Sequence, residues 1–291
     1  MIDLLGREFF QLALIAALLV GLCAPAVGTF IVQRRLALLG DGIGHVALTG
    51  VALGFLTGTA PVLTAVAVAI AGAVAIEVVR ARGRTSGDVA LALLFYGGIA
   101  GGVMLMGIAP GGSNAKLNSY LFGAIASVSR LDIWVIGGLA VAVLLVVGIF
   151  GRELFVLCQD EEMARASGLP VRFLSLLIAV TAALTVVIAM RVVGLLLVSA
   201  LMVIPVATSQ QLTRGFRSTM LLAMLFGVIA AVGGLLVSAQ SAKVAPGAAI
   251  VLLALLGFVL ALGVGKFVRR GRSSQESTVS ERRSVSVKEV A

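Results

Sequence analysis

Arg34-Arg35-Leu36-Ala37-Leu38-Leu39-Gly40-Asp41-Gly42-Ile43-Gly44-His45-Val46-Ala47-Leu48 sets a carboxylate four residues ahead of the only histidine in the chain, within sequence that is otherwise apolar. Two arginines open the run, and apolar residues continue to about position 57. That pattern reads as a membrane-spanning helix starting at a charged interface. On a helix, residues four apart share a face one turn apart, so Asp41 and His45 can hold one ion or share one proton. Counting helically from Arg35 at 1.5 Å per residue puts His45 about 15 Å deep, near the midplane of a bilayer core about 30 Å thick. An ionisable pair at that depth is costly and points to function.

The rest of the 291 residues fits a membrane setting: 60% are hydrophobic, 12% are charged, and the mean hydropathy is +1.16. Soluble domains carry about a quarter charged residues, so that class is excluded. The 35 glycines favour close helix packing. Cys23 and Cys158 have no CxxC neighbour, so neither a disulfide framework nor a zinc knuckle is expected. The net charge of +9 comes from scattered basic residues rather than a stripe, which speaks for membrane topology and against nucleic acid. Asp3, Arg7 and Glu8 precede a long apolar run, which predicts a first span instead of a removable signal.

Nine segments are long enough to cross: about 9 to 32, 36 to 57, 60 to 79, 88 to 108, 131 to 150, 171 to 190, 192 to 210, 218 to 239 and 245 to 267. The fold class is all-α, a polytopic bundle of eight to nine spans. Eight result if segment two or the region 109 to 130 is partly re-entrant. With the N-terminus outside, seventeen of the 22 Lys and Arg fall on the cytoplasmic side, as the positive-inside rule asks. A short interfacial or re-entrant helix is expected around 120 to 126, with Tyr120 and Trp134 as interface anchors. No further charge is expected at depth. The transmembrane domain covers 1 to 267, and 268 to 291 is a basic, disordered cytoplasmic tail.

Three roles suit Asp41 and His45: a structural hydrogen bond, a proton relay, or a passage site for a divalent cation. A carboxylate and an imidazole suit Zn²⁺, Mn²⁺ or Fe²⁺, and two ligands per chain make a site that releases its ion. On a two-fold dimer axis the pair would double to four ligands. The glycines at 40, 42, 44 and 50 allow either a helix break or close approach by a neighbour. The polar run 151 to 172 forms the second constellation. There Gln159 or Asp160 can cap a short helix with Glu161 and Glu162 in its first turn, Gly168 can end it, and Pro170 blocks its continuation. Such a knob is either a grip for another protein or an ordinary solvated loop.

The segment 34 to 54 closely resembles the signature of the membrane permeases of bacterial ABC importers for zinc, manganese and iron, the ABC-3 family. Tyr120-Leu-Phe-Gly123, the Asp160-to-Pro170 loop and Gly194-to-Thr208 follow in family order. The resemblance spans about residues 5 to 267. It implies a multi-pass permease of the bacterial cytoplasmic membrane, with a fold like that of the vitamin B12 and siderophore importers. It also implies a permease homodimer on two cytoplasmic ATPase subunits, supplied with metal by an extracytoplasmic binding protein. The metal-contacting residues fall on Asp41 and His45. The coupling helix falls on Gln159 to Gly168, with Gln159, Asp160, Glu161, Glu162, Ala164, Arg165 and Gly168 as the ATPase contact. No permanent cofactor is implied, only a transported manganese, zinc or iron ion. With no second histidine, an additional His ligand has no counterpart, which weakens a strong zinc preference. The chain contains no Gly-x-x-x-x-Gly-Lys-Ser/Thr loop, so ATP hydrolysis would belong to a partner and the permease would not be an enzyme. Other readings are a proton-coupled secondary transporter or an ABC permease for a metal chelate.

Overall fold

A computed structural model describes residues 8–81, 87–110, 114–123, 130–191, 193–240 and 244–263. The tail 268–291 lies outside them, as do 124–126 of the expected interfacial helix. The regular structure of the described residues is helical: α1 Glu8–Gln33, α2 Leu39–Thr57, α3 Pro61–Ala81, α4 Gly87–Ile108, α5 Asn114–Phe122, α6 Arg130–Gln159, α7 Glu161–Ala166, α8 Val171–Met190, α9 Leu195–Leu212, α10 Phe216–Ala239 and α11 Pro246–Gly263. Among the described residues, eight helices, α1, α2, α3, α4, α6, α8, α10 and α11, are long and apolar enough to cross a membrane. The bundle is thus a multi-pass membrane protein.

Burial sorts the spans. In α1, α2 and α8 most positions are covered, whereas α3, α4, α6, α10 and α11 turn a large share outward. Three threonines in the interior are absorbed locally: Thr29, Thr181 and Thr185 each donate to the carbonyl four residues back at 2.7–2.8 Å, which satisfies their hydroxyls within the helix. Cys23 and Cys158 are both free thiols.

The two ends of the bundle carry different chemistry. At one end Arg34, Glu77, Arg80, Glu161 and Arg165 pair with one another. At the other, Glu8 pairs with Arg130 and Asp132 with Arg191. This is the division that the positive-inside count assigns to the cytoplasmic and outer sides.

Three expectations change. The seventh segment is α9, 18 residues long and displaced to Leu195–Leu212. Gly194, with φ of 89°, delays its start to Leu195, and a Cβ there would lie 2.4 Å from Gly123 N, so the connection is wedged against the end of α5. Leu195 then meets Gly44 of α2, about 20 Å short of the outer end of that helix. The interfacial helix also lies earlier than expected, at Asn114–Phe122, and Tyr120 is buried instead of anchoring an interface. Its ring packs edge-on against Phe55 at 6.2 Å, and its hydroxyl accepts from Arg191 Nη1 at 3.0 Å. Burial pushes that phenol above its ordinary range, opposed by the nearby Arg191 cation. Trp134 is 82% exposed, where a belt residue belongs. Finally, Asp41 and His45 are not the only enclosed charges, since Asp132 and Arg191 form a buried ion pair. That pair closes the outer ends of α6 and α8, away from Asp41 and His45.

Candidate functional site

Asp41 lies in the first turn of α2 and His45 one turn on, in an unbroken helix. Of the two uses open to the surrounding glycines, close approach is the one realised. A Cβ at Gly98 of α4 would sit 2.6 Å from the His45 carbonyl carbon and 2.7 Å from Val46 N, so only glycine lets α4 lie on the α2 backbone there. Thr49 Oγ1 donates across the same crossing to Gly98 O at 2.8 Å.

The contacts around α2 fix where the pair points. Gly40 and Gly44 face α9, against Ser199 and Leu195, while Gly42 faces Leu91 of α4 and Val46 faces Gly72 of α3. At about 100° per residue, Asp41 and His45 fall between the α9 side and the α4 side. His45 is 6% exposed, and its ring meets Phe95 of α4 edge-on at 4.5 Å between centroids. Its Nδ1 is buried without a hydrogen-bond partner. A buried ring nitrogen left unpaired is costly, and an imidazole nitrogen without a hydrogen bond is chemically able to act as a metal donor.

The depth of the pair has a different basis from the sequence count. Helix α2 begins at Leu39, so His45 is only about 9 Å along it. Its neighbours nonetheless sit at their middles: His45 packs on Gly98 in the centre of α4, and Val46 on Gly72 in the centre of α3. The α1–α2 turn is therefore recessed into the bundle and carries the start of α2 inward. Among the described residues no group of three or more His, Cys, Asp or Glu side chains is placed to hold a metal ion.

The second constellation forms α7. Asp160, not Gln159, is its cap: Oδ1 accepts from Glu162 N at 2.8 Å and from Met163 N at 3.1 Å. Gln159 ends α6. Glu161 and Glu162 occupy the first turn, where negative charge suits the helix dipole. Gly168, with φ of 77°, turns the chain out of the helix, and Leu169 N closes it on Ala164 O at 3.1 Å. Ala164 is fully buried, while Met163 is 64% exposed. Beside α7 runs a cleft of about 880 Å³ lined by Glu77, Arg80, Glu161, Arg165, Arg172 and Ser175. Sequence reasoning missed Arg34, Ser175, Phe95 and Gly98, whose parts depend on which helices touch.

The profile of the ABC 3 transport family matches residues 6–265. The chain belongs to the ABC 3 transport family. Within this family it is 36% identical over 284 residues, 96% of the chain and 97% of the relative, to the manganese transport system membrane protein MntC of Halalkalibacterium halodurans. The manganese import system permease protein ScaB of Streptococcus gordonii is 34% identical, over 87% of this chain and 90% of its own. A solved structure of PsaBC from Streptococcus pneumoniae in complex with Fab superposes with a TM-score of 0.81 at 36% identity, covering 89% of this chain and 93% of that one. Membership of the ABC 3 transport family makes the chain a multi-pass permease subunit of the bacterial cytoplasmic membrane.

Proposed function

We propose that the chain is the permease of an ABC importer that carries a divalent transition metal ion, manganese foremost, into the cell, with Asp41 and His45 as the ligands met in passage. One observation carries the reading: a buried His45 Nδ1 without a partner, one turn from a carboxylate, on the α2 face between α4 and α9. The names of the relatives MntC and ScaB support manganese as the cargo. A carboxylate oxygen and one imidazole suit Mn²⁺, and a set of two keeps the site weak enough to empty. Such donors bind Zn²⁺ more tightly than Mn²⁺, so selection would rest on delivery and on the missing ligands. A second copy of the chain across the α4–α9 gap would double the donors.

Each end of the bundle suits a different partner. A cytoplasmic ATPase grips α7 and supplies the hydrolysis, and an extracytoplasmic metal-binding protein docks at the outer end. Closure driven by ATP then switches access to the pair from outside to inside. The test is manganese accumulation by cells carrying the complete transporter. Asp41→Asn and His45→Ala should each lower uptake by more than about ten-fold while the ATPase still co-purifies. Normal uptake in both variants would remove the site assignment. Uptake driven by a pH gradient without ATP would instead favour a proton-coupled carrier.

A further inference from the structure

Three elements meet at one side chain outside the proposed metal and docking residues. Arg34 ends α1, and its side chain is 7% exposed. From there Nη1 donates to Ser175 Oγ of α8 at 2.8 Å, and Nη2 donates to Glu161 Oε2 of α7 at 3.2 Å. The other oxygen of Glu161 accepts from Arg165 at 3.2 Å, so Glu161 is shared between α7 itself and Arg34. The α1–α2 turn is recessed, so the arginine stem spans the gap to α7 and α8 while its head meets the charged cleft.

The turn after Arg34 is stiff. Arg35 is left-handed with φ of 59°, the only non-glycine among the described residues with positive φ. Arg35 N donates to Val32 O at 3.1 Å and Leu36 N to Ile31 O at 2.9 Å, the two bonds of a Schellman closure. Leu39 N then bonds Leu36 O at 2.9 Å, and Ile31 and Leu39 are both buried. A turn closed at both ends moves as a body. Displacing α7 therefore displaces the start of α2, with Asp41 two residues into that helix.

We propose that Arg34 is the positioning residue that transmits movement of α7 to the helix carrying Asp41 and His45. The inference rests on the reading of the chain as an importer with α7 as its ATPase contact. A planar fork serves two acceptors on different helices at once, which a lysine ammonium does less well. Arg34 touches no cargo in this scheme, and its loss uncouples hydrolysis from transport without stopping hydrolysis.

The experiment reconstitutes permease, ATPase and binding protein in proteoliposomes, with Mn²⁺ as the probe, and reads Mn²⁺ accumulated per ATP hydrolysed. Arg34→Ala should hydrolyse ATP within about two-fold of the wild type while the ratio drops about ten-fold, a coupling loss of ordinary size. Arg34→Lys should fall between the two, and Ser175→Ala should lower the ratio less than Arg34→Ala. An unchanged ratio in Arg34→Ala, or uptake and hydrolysis falling in parallel, would overturn the proposal. If Arg34→Ala does not assemble, Arg34→Lys and Ser175→Ala decide, and wild-type ratios in both overturn it. A wild-type transporter that accumulates no manganese would overturn the importer reading itself. Accumulation by the wild type with an unchanged ratio in the variants overturns only the role of Arg34.

Discussion

An alanine methyl at position 98 would come within 2.6 Å of the His45 carbonyl carbon and 2.7 Å of Val46 N, both backbone atoms that no rotamer change can move aside. Gly98→Ala should therefore push α4 off α2, cost about 1–3 kcal/mol as overpacking does, and lower manganese uptake with it. Thermal unfolding of the purified permease alongside uptake in cells checks both effects. Arg35 offers the opposite case. Its backbone is left-handed and its side chain exposed, so Arg35→Gly relieves strain and should stabilise by up to about 1 kcal/mol. Uptake should be unchanged, and a lower melting temperature would show that the Arg35 side chain makes a contact of its own. Asp41 and His45 stood out in the sequence because charge in an apolar run is conspicuous. Gly98 did not, because the chain holds 35 glycines and only the crossing reveals which one carries a clash.

At the scale of elements, α7 shows how far local rules reach. Its acidic first turn, closing glycine and following proline were all legible, since capping depends on neighbours in sequence. The choice between Gln159 and Asp160 needed the structure, in which α6 continues through Gln159 and leaves Asp160 extended with its carboxylate on two amide groups. Asp160→Ala should cost about 1 kcal/mol of local helix stability and loosen the ATPase. Charge reversal at Glu161 and Glu162 should weaken docking further. Co-purification of the ATPase with each variant measures this, and an intact complex that couples normally would show that α7 is not the contact. The start of α9 was not legible. Hydropathy reports transfer into lipid and sets the start of the segment near 192, yet the left-handed Gly194 and its contact with Gly123 delay the helix to Leu195.

For the whole molecule, basic residues counted along the sequence assigned the sides, and the ion pairs group accordingly, with Arg34, Arg80 and Arg165 at one end and Arg130 and Arg191 at the other. Depth was harder to read. Counting from Arg35 treated the α1–α2 turn as helix, whereas His45 is central because the turn itself is recessed, a feature of packing that no count along one segment contains. The Asp132–Arg191 pair was hidden for the same reason, being formed by residues 59 apart. The central claim is that His45 meets the metal, and His45 is the only histidine of the permease. Mn²⁺ added to the purified permease–ATPase complex and measured by electron spin echo should show nitrogen modulation that disappears in His45→Ala. Identical modulation in the wild type and in His45→Ala would contradict the account.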